Sequence, residues 1–390
     1  MMKKRNKFLV FGSPFVAQKE IDEVVATIKS GWWGTGPKTE QLEIRFRKYC
    51  GAKYALALNS CTAGLHLALK SLGVGPGDEV ITSPMTFCST ANVIVHCGAK
   101  PVFADIDKED WNIDPGEIEK KITHKTKVIM PVHLHGRPCQ MDKIMALARK
   151  YQLKVVEDAA HAIEAKYQGK KIGNIGDITA FSFYVTKNVA TGEGGMVTTN
   201  KSSWAKQMRV MSLHGLSRDA YKRYSVKVFR HYQALVPGYK YNMMDIQAAL
   251  GLHQFGRVSQ NAKTRKTYWQ TYQKAFEKVP ELITPKPQEK NTCHARHLYA
   301  ILLRLEKLKV NRDQFIGELI GLGIGSGVHF YPVHLHPFYK KTFGFRKGDF
   351  PNAEFVGNRT ISLPLGANLT KKDVNDVIKM VRFLVKKHRK

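Results

Sequence analysis

The chain has 390 residues, 43% of them hydrophobic and 10% aromatic, and carries a formal net charge of +30. That composition excludes intrinsic disorder and supports a large buried core, enough for one large domain with a smaller one appended. No apolar run approaches membrane-spanning length. The six scattered cysteines contain no C-x-x-C pair, so they give neither a zinc site nor a disulfide framework.

The opening MMKKRNKFLVFGSPFV is basic and then apolar, but Gly12-Ser13-Pro14 interrupts it, so it reads as an ordinary soluble N-terminus rather than a signal peptide. Free thiols in such a chain fit the reducing cytoplasm. A charge of +30 raises nucleic acid as a partner. The lysines and arginines are spread along the whole chain, however, with only short clusters such as Lys386-Lys387-His388-Arg389-Lys390 and no nucleic-acid motif. Attraction of an anionic small molecule suits this distribution better.

Ile21, Val24, Val25 and Ile28 recur at helical spacing and predict a helix over 19–30. Trp32 to Pro37 form a loop, and Leu42, Phe46 and Tyr49 mark a second helix. A strand over 54–58 runs through Asn59, Ser60, Cys61, Thr62 and Ala63 into a third helix ended by Gly73. Such a turn leaves free N–H groups at the positive end of a helix, which makes a phosphate cradle. The same residues also serve as ordinary N-caps.

Strands over 79–83, 101–105, 126–132 and 153–158 then alternate with helices over 86–97 and through Ile144, Leu147, Ala148 and Tyr151. Alternation of this kind predicts an α/β fold with a mostly parallel, helix-flanked sheet. Ligands gather at the carboxyl ends of such strands, and Asp158 sits at one of them.

Residues 181–200, FSFYVTKNVATGEGGMVTTN, read as a buried strand, a lysine, a glycine-rich turn and a second strand. Lys187 follows the buried strand. Partial desolvation there favours a neutral amine, the form that attacks a carbonyl. A surface lysine in a loop is the structural alternative.

Ser212 to Pro237 form a charged excursion, and Tyr239 to Gly251 lead into a long helix. Pro285-Lys286-Pro287 reads as a linker, followed by an apolar strand over 298–305. Asn311 with Gln314, and Thr370 with Asp373, predict capping boxes. The final helix aligns Val374, Val377, Ile378, Val381, Leu384 and Val385 on one face. The resulting division is a large domain over 1–265 and a small C-terminal α/β domain over 266–390.

A cradle at Asn59 to Ala63, an acid at Asp158 and an amine at Lys187 together match what pyridoxal 5'-phosphate requires. Its phosphate needs donors, its ring nitrogen a carboxylate and its aldehyde an amine. The stretches SGWWGTGPKTEQLE, NSCTAGLHLAL, GPGDEVITSPMTFCST, PVFADID, VVEDAAHA, FSFYVTKN, TGEGGMVTTN, PGYKYNMMDIQAALG, GIGSGVHF and YPVHLHPFY resemble the DegT/DnrJ family of sugar aminotransferases, which share the aspartate-aminotransferase fold. They come in family order and cover nearly the whole chain. The GWxxTGP, YVTKN and GYKYN segments look most like the branch that includes UDP-4-amino-4-deoxy-L-arabinose aminotransferase.

The resemblance implies a role for each matching residue. Lys187 is the Schiff-base lysine and proton shuttle, and Asp158 pairs with the ring nitrogen. Phe87 stacks on the ring, with a core phenylalanine as the structural alternative. Cys61 and Thr62 bind the phosphate, with Ser182 as a further hydroxyl donor. Cys61 stands where Gly or Ala is more usual, a change that a backbone donor tolerates. Asn242 reaches the phosphate of the neighbouring subunit, which implies a homodimer with shared sites. His161 lies near the ring oxygen, and Gly34, Thr35 and His329 face the sugar.

The implied reaction moves an amino group from L-glutamate to a keto carbon, C4, of a nucleotide-linked deoxy-sugar for a surface glycan or secondary metabolite. A related dehydratase using pyridoxamine phosphate ranks below, because such members often lack the lysine. A basic non-catalytic binding protein ranks below too, because lysine, acid and cradle are all present. His133, His135, His334 and His336 suggest a metal, but no carboxylate or thiolate stands beside them in the sequence, so no metal site is assigned.

Overall fold

The computed structural model describes residues 4–217 and 231–390. The chain opens with α1 (Gln18–Lys29) and α2 (Pro37–Cys50). There follow β1 (Tyr54–Leu58), α3 (Cys61–Ser71), β2 (Glu79–Thr82), α4 (Cys88–His96), β3 (Lys100–Phe103), α5 (Pro115–Lys121), β4 (Thr126–Met130), α6 (Met141–Lys150) and β5 (Lys154–Asp158). A hairpin of β6 (Lys166–Tyr167) and β7 (Lys170–Lys171) precedes β8 (Ile178–Ser182) and β9 (Gly195–Thr199).

Seven strands form one sheet in the order β1-β9-β8-β5-β4-β2-β3. Only β9 runs against its neighbours; the other six are parallel to one another. Consecutive residues such as Val80 and Ile81, Val128 and Ile129, and Val155 and Val156 are all fully buried. A parallel sheet covered by helices on both faces requires such continuous apolar strands. Leu65, Leu67 and Leu69 of α3 fill one side, and Leu42 and Phe46 of α2 fill another. The expected mainly parallel, helix-flanked sheet is therefore the observed one. Its strands are one or two residues shorter than their apolar runs, and Tyr184 lies beyond β8, exposed.

After α7 (Ser202–Met211), α8 (Asp245–Gly256) and α9 (Val258–Phe276), a second, antiparallel sheet has the order β10 (Leu282–Ile283), β11 (Tyr299–Leu303), β12 (Thr360–Leu363). Around it lie α10 (Arg312–Gly321), α11 (Pro337–Phe343), α12 (Pro351–Gly357) and α13 (Lys371–His388). Tyr272, Tyr299, Phe315, Val377 and Val381 share its core. Helix α9 runs unbroken through residue 265, and its second half packs in this core. The N-terminal segment joins the same unit: Leu9 packs against it, and Arg5 pairs with Asp373 at 2.6 Å. Both capping boxes form, with Asn311 accepting from the Gln314 N–H and Thr370 from the Asp373 N–H. Of the charged excursion, residues 218–230 lie outside the described residues.

Helix α1 forms where its spacing predicts it, but its apolar stripe faces outward. Ile21, Val25 and Ile28 are 49%, 42% and 45% exposed, whereas Glu20 and Thr27 are buried. Glu20 is held inside by Arg257 and by Gln254 of α8.

Asp245, at the start of α8, fixes the loop before α2. Its carboxylate accepts from the backbone N–H groups of Gly36 (2.8 Å), Lys38 (3.0 Å) and Thr39 (2.9 Å), and from the Thr39 hydroxyl (2.6 Å). A distant side chain thus satisfies first-turn donors that a local cap would otherwise take. Asp245→Ala leaves several buried donors unpaired and is expected to cost about 3 kcal/mol of stability, measured by urea denaturation.

Candidate active site

The carboxyl ends of β1, β5 and β8 bring the three sequence-distant features together. At the end of β1, Ser60 caps α3 by accepting from the Ala63 N–H at 3.0 Å. The first-turn N–H groups of Cys61 and Thr62 lie at the positive end of the helix. Gly195, opening β9, packs directly against this turn. A Cβ there would lie 2.4 Å from the Ser60 carbonyl carbon and 2.6 Å from the Cys61 nitrogen. Ser182, opposite Gly195 in the β8–β9 pairing, contributes a half-buried hydroxyl on the same side. Burial pushes the Cys61 thiol well above its ordinary range, so it stays protonated and acts as a small wall rather than a nucleophile.

Asp158 is buried at the end of β5. Its Oδ2 accepts from the Thr90 hydroxyl at 2.8 Å and its Oδ1 from the Ala160 N–H at 3.1 Å. Burial outweighs these bonds and raises its pKa, an arrangement that a cationic partner would offset. Thr90, which the sequence reading missed, sits one helical turn from Thr86, and the two hydroxyls are 2.7 Å apart.

Lys187 follows β8 and β5 pairs with β8 in parallel, so the lysine and Asp158 meet on one edge of the sheet. Lys187 is half-buried and lines a cleft together with Phe11, Asn188, Arg265 and Asn368. Desolvation pulls its amine down to about 8, against the opposing pull of the Asp158 carboxylate. Cys61 is close enough to couple electrostatically to both groups.

Aromatic and imidazole rings form a second cluster. Phe87 is 59% exposed, so it is not the core phenylalanine that the sequence also allowed; its ring lies 6.0 Å from Phe330. Phe330 stacks on His161 at 5.9 Å, and Phe11 stacks on His329 at 5.4 Å. His161 is buried, with its Nδ1 lacking a hydrogen-bond partner. Its ring also lies 4.5 Å from His297. His329 shares a hydrogen bond of 2.9 Å with the Ser362 hydroxyl, and its carbonyl accepts from His135 Nε2 at 2.9 Å. Burial takes His329 down to about 3 and His135 to about 4, so both are neutral.

Gly34, Thr35 and Asn242 form a separate group. The Asn242 amide donates to the Thr35 hydroxyl at 2.7 Å, and that hydroxyl donates to the Met243 carbonyl at 2.5 Å. Lys240 donates to Asn242 Oδ1 at 2.7 Å, and the Gly34 carbonyl accepts from the Asp245 N–H. Asn242 bridges Leu58, so this group flanks the strand that leads into the cradle.

Two of the histidines set aside for lack of carboxylate partners do have them. His133 pairs with Glu157 at 2.9 Å and His334 with Glu354 at 3.0 Å, both buried. Each is a one-to-one pair, and among the described residues no group of three metal-ligating side chains gathers.

A model of the DegT/DnrJ/EryC1/StrS aminotransferase family matches residues 14–382. The chain belongs to this family. Bacillus subtilis SpsC, a spore coat polysaccharide biosynthesis protein, is 51% identical over 387 residues, covering 99% of each chain. Methanocaldococcus jannaschii MJ1066 is 53% identical over 385 residues, covering 99% of this chain and 100% of its own. Among solved structures, the PMP form of Streptococcus pneumoniae Spr1654 matches with a TM-score of 0.91 and 35% identity, covering 97% of this chain and 98% of its own. Helicobacter pylori PseC, an aminotransferase involved in pseudoaminic acid biosynthesis, matches with a TM-score of 0.90 and 28% identity, covering 98% and 100%. Spr1654 has also been solved in a PLP form. The family's enzymes are pyridoxal-phosphate-dependent sugar aminotransferases, and this chain carries that fold, cofactor class and activity.

The site's own chemistry fits the cofactor: a helix-end cradle, a buried acid short of a cation, an amine near neutrality and an unpartnered buried imidazole nitrogen. Gly195→Ala tests the cradle. The added Cβ must displace the Ser60–Cys61 turn, so affinity for pyridoxal phosphate is expected to fall about tenfold, roughly 1.4 kcal/mol, in a spectroscopic titration of the apoprotein.

Proposed function

We propose that this enzyme transfers the amino group of L-glutamate to a keto carbon, C4, of a nucleotide-linked deoxy-sugar destined for a surface polysaccharide, in the cytoplasm. The observation that carries the reading is Lys187, an amine held near neutrality within range of Asp158 and Cys61 at one edge of the sheet. The description of SpsC as a spore coat polysaccharide protein and of PseC as a pseudoaminic acid enzyme supports the polysaccharide setting. The net charge of +30 suits a diphosphate-bearing substrate.

Pyridoxal phosphate, when bound, supplies an aldehyde that takes up the amino group and a ring that withdraws electrons. Asp158 would hold the ring nitrogen protonated. The Cys61 and Thr62 N–H groups and the Ser182 hydroxyl would hold the phosphate, joined by Asn242 from a second subunit. Phe87 would cover one face of the ring, and His161 would lie near its oxygen. Lys187 Nζ would carry the proton between cofactor and substrate carbons in both half-reactions. Gly34, Thr35 and His329 would contact the sugar. A dehydratase using the same cofactor has less need of this lysine, so Lys187 favours transamination.

A panel of nucleotide keto-sugars, assayed with glutamate for 2-oxoglutarate release, tests the substrate. Lys187→Ala is expected to lower turnover by about 100-fold or more while pyridoxal phosphate still binds non-covalently. Undiminished turnover would refute the assigned role.

The outward apolar face of α1 supports a homodimer with shared sites. Ile21, Val25 and Ile28 adjoin exposed Trp32 and Trp33, whose loop carries Thr35 against Asn242. A contiguous apolar surface of this kind marks an interface. Ile21→Asp with Val25→Asp is expected to yield a monomer by light scattering, with activity lost alongside. A doubly substituted protein that stays dimeric would remove α1 from the interface.

A further inference from the structure

Four buried or half-buried residues outside the roles above converge next to Lys187. Asn188, the residue after the lysine, donates from Nδ2 to Glu164 Oε2 at 2.7 Å. Its Oδ1 lies 3.0 Å from His297 Nδ1. Arg265 of α9 pairs with the other oxygen of Glu164. A carboxylate only accepts, so the Asn188 amide must point its NH2 at Glu164 and its oxygen at His297. His297 Nδ1 is then the donor, which sets its tautomer.

Elsewhere the same protein puts glutamate directly on buried histidine, at His133–Glu157 and His334–Glu354. At His297 it interposes an amide. The groups facing His297 are Lys187, His329, Arg265, His135 and, against its ring, His161. All are cationic when protonated. Glu164, the carboxylate of this group, is already engaged by Arg265 and Asn188.

We propose that Asn188 is a positioning residue: a neutral spacer that keeps Glu164 off His297 and holds His297, with His161 against its ring, in one uncharged arrangement beside Lys187. A carboxylate in direct contact would pull the ring toward imidazolium, as Glu354 pulls His334 upward against the desolvation that lowers it. That cation would face the reacting amine and the His161 imidazole packed against it at 4.5 Å. The spacer prevents this while still tying the lysine's own loop to α9 and, through His297, to the entrance of β11.

The inference rests on Lys187 being the reacting amine, and the test uses the cofactor-free protein so that it reads the spacer independently of turnover. Competitive acetylation with isotope-labelled acetic anhydride, followed at the Lys187 peptide by mass spectrometry, gives the titration midpoint of that amine. The wild-type midpoint is expected near 8. In Asn188→Ala, Glu164 and His297 share the vacated gap, His297 takes a proton, and the Lys187 midpoint falls by about one unit. Adding His297→Gln to Asn188→Ala restores the wild-type midpoint, because glutamine cannot hold the charge. His297→Gln alone leaves it unchanged, because the native ring is already neutral. An unmoved midpoint in Asn188→Ala, a shift that persists in the double variant, or a rise in His297→Gln alone would each overturn the proposal.

Discussion

The parallel pairing of β5 with β8 is the constraint on which the site depends. Val156, Glu157 and Asp158 register against Ile178, Thr179 and Ala180. That register puts an acid and, a few residues past the neighbouring strand, an amine on one edge of a buried sheet. Both side chains are costly to bury, and the β5–β8 pairing is the rigid frame that holds Asp158 and fixes where the loop carrying Lys187 leaves the sheet. Glu157, one residue before the acid, points to the other face of the strand. It secures the frame by accepting from the Thr179 hydroxyl at 2.7 Å and the Gly176 N–H at 2.8 Å while pairing with His133. One strand thus alternates a carboxylate that secures the frame with one that faces the candidate site, as the two-residue period of a strand allows.

Charge management follows from that frame. Burial drives several groups near the sheet edge toward their neutral forms: the Lys187 amine and the imidazoles of His135, His161, His297 and His329 downward, the Asp158 carboxyl and Cys61 thiol upward. An amine that must both give and take a proton works best when its surroundings hold a constant charge through the cycle. Neutral imidazoles provide hydrogen-bonding capacity without competing for that proton. The Glu164–Arg265 ion pair is set back behind the Asn188 amide.

Much of this was legible in the sequence because it is local. A strand, a run of small polar residues and a helix announce the cradle at Ser60 to Ala63, and an aromatic strand before a lysine and glycines announces β8. The capping boxes at Asn311 and Thr370 are four-residue patterns and form as read. Contacts between residues tens of positions apart left no such mark. Thr90 reaches Asp158 over 68 positions and Arg265 reaches Glu164 over 101, so neither could be paired by spacing. The same blindness hid Glu157 from His133 and Glu354 from His334. Asn188 carried a signal, its place beside Lys187, but nothing local pointed to its partners. Helix α1 illustrates a further limit. Periodicity reports that one side of a helix is apolar, not which side the fold covers.

That inverted helix bears on how the two polar groups of the site relate. Within one chain, Lys187 and Asp158 gather on the sheet edge, whereas Thr35 and Asn242 gather around the strand that feeds the cradle, beside Trp32 and Trp33 and the bare stripe of α1. A protein that kept this stripe in water would expose apolar area at a cost of about 25 cal/mol per Å2. Glu20, buried with Arg257 on the opposite side, prevents the helix from simply rolling over to hide it. Under the proposed dimer, a second copy would cover the stripe and meet the adjoining loop, whose Thr35 accepts from Asn242. Folding, assembly and completion of the active site would then be one linked equilibrium, and the apparent stability of the site would rise with protein concentration.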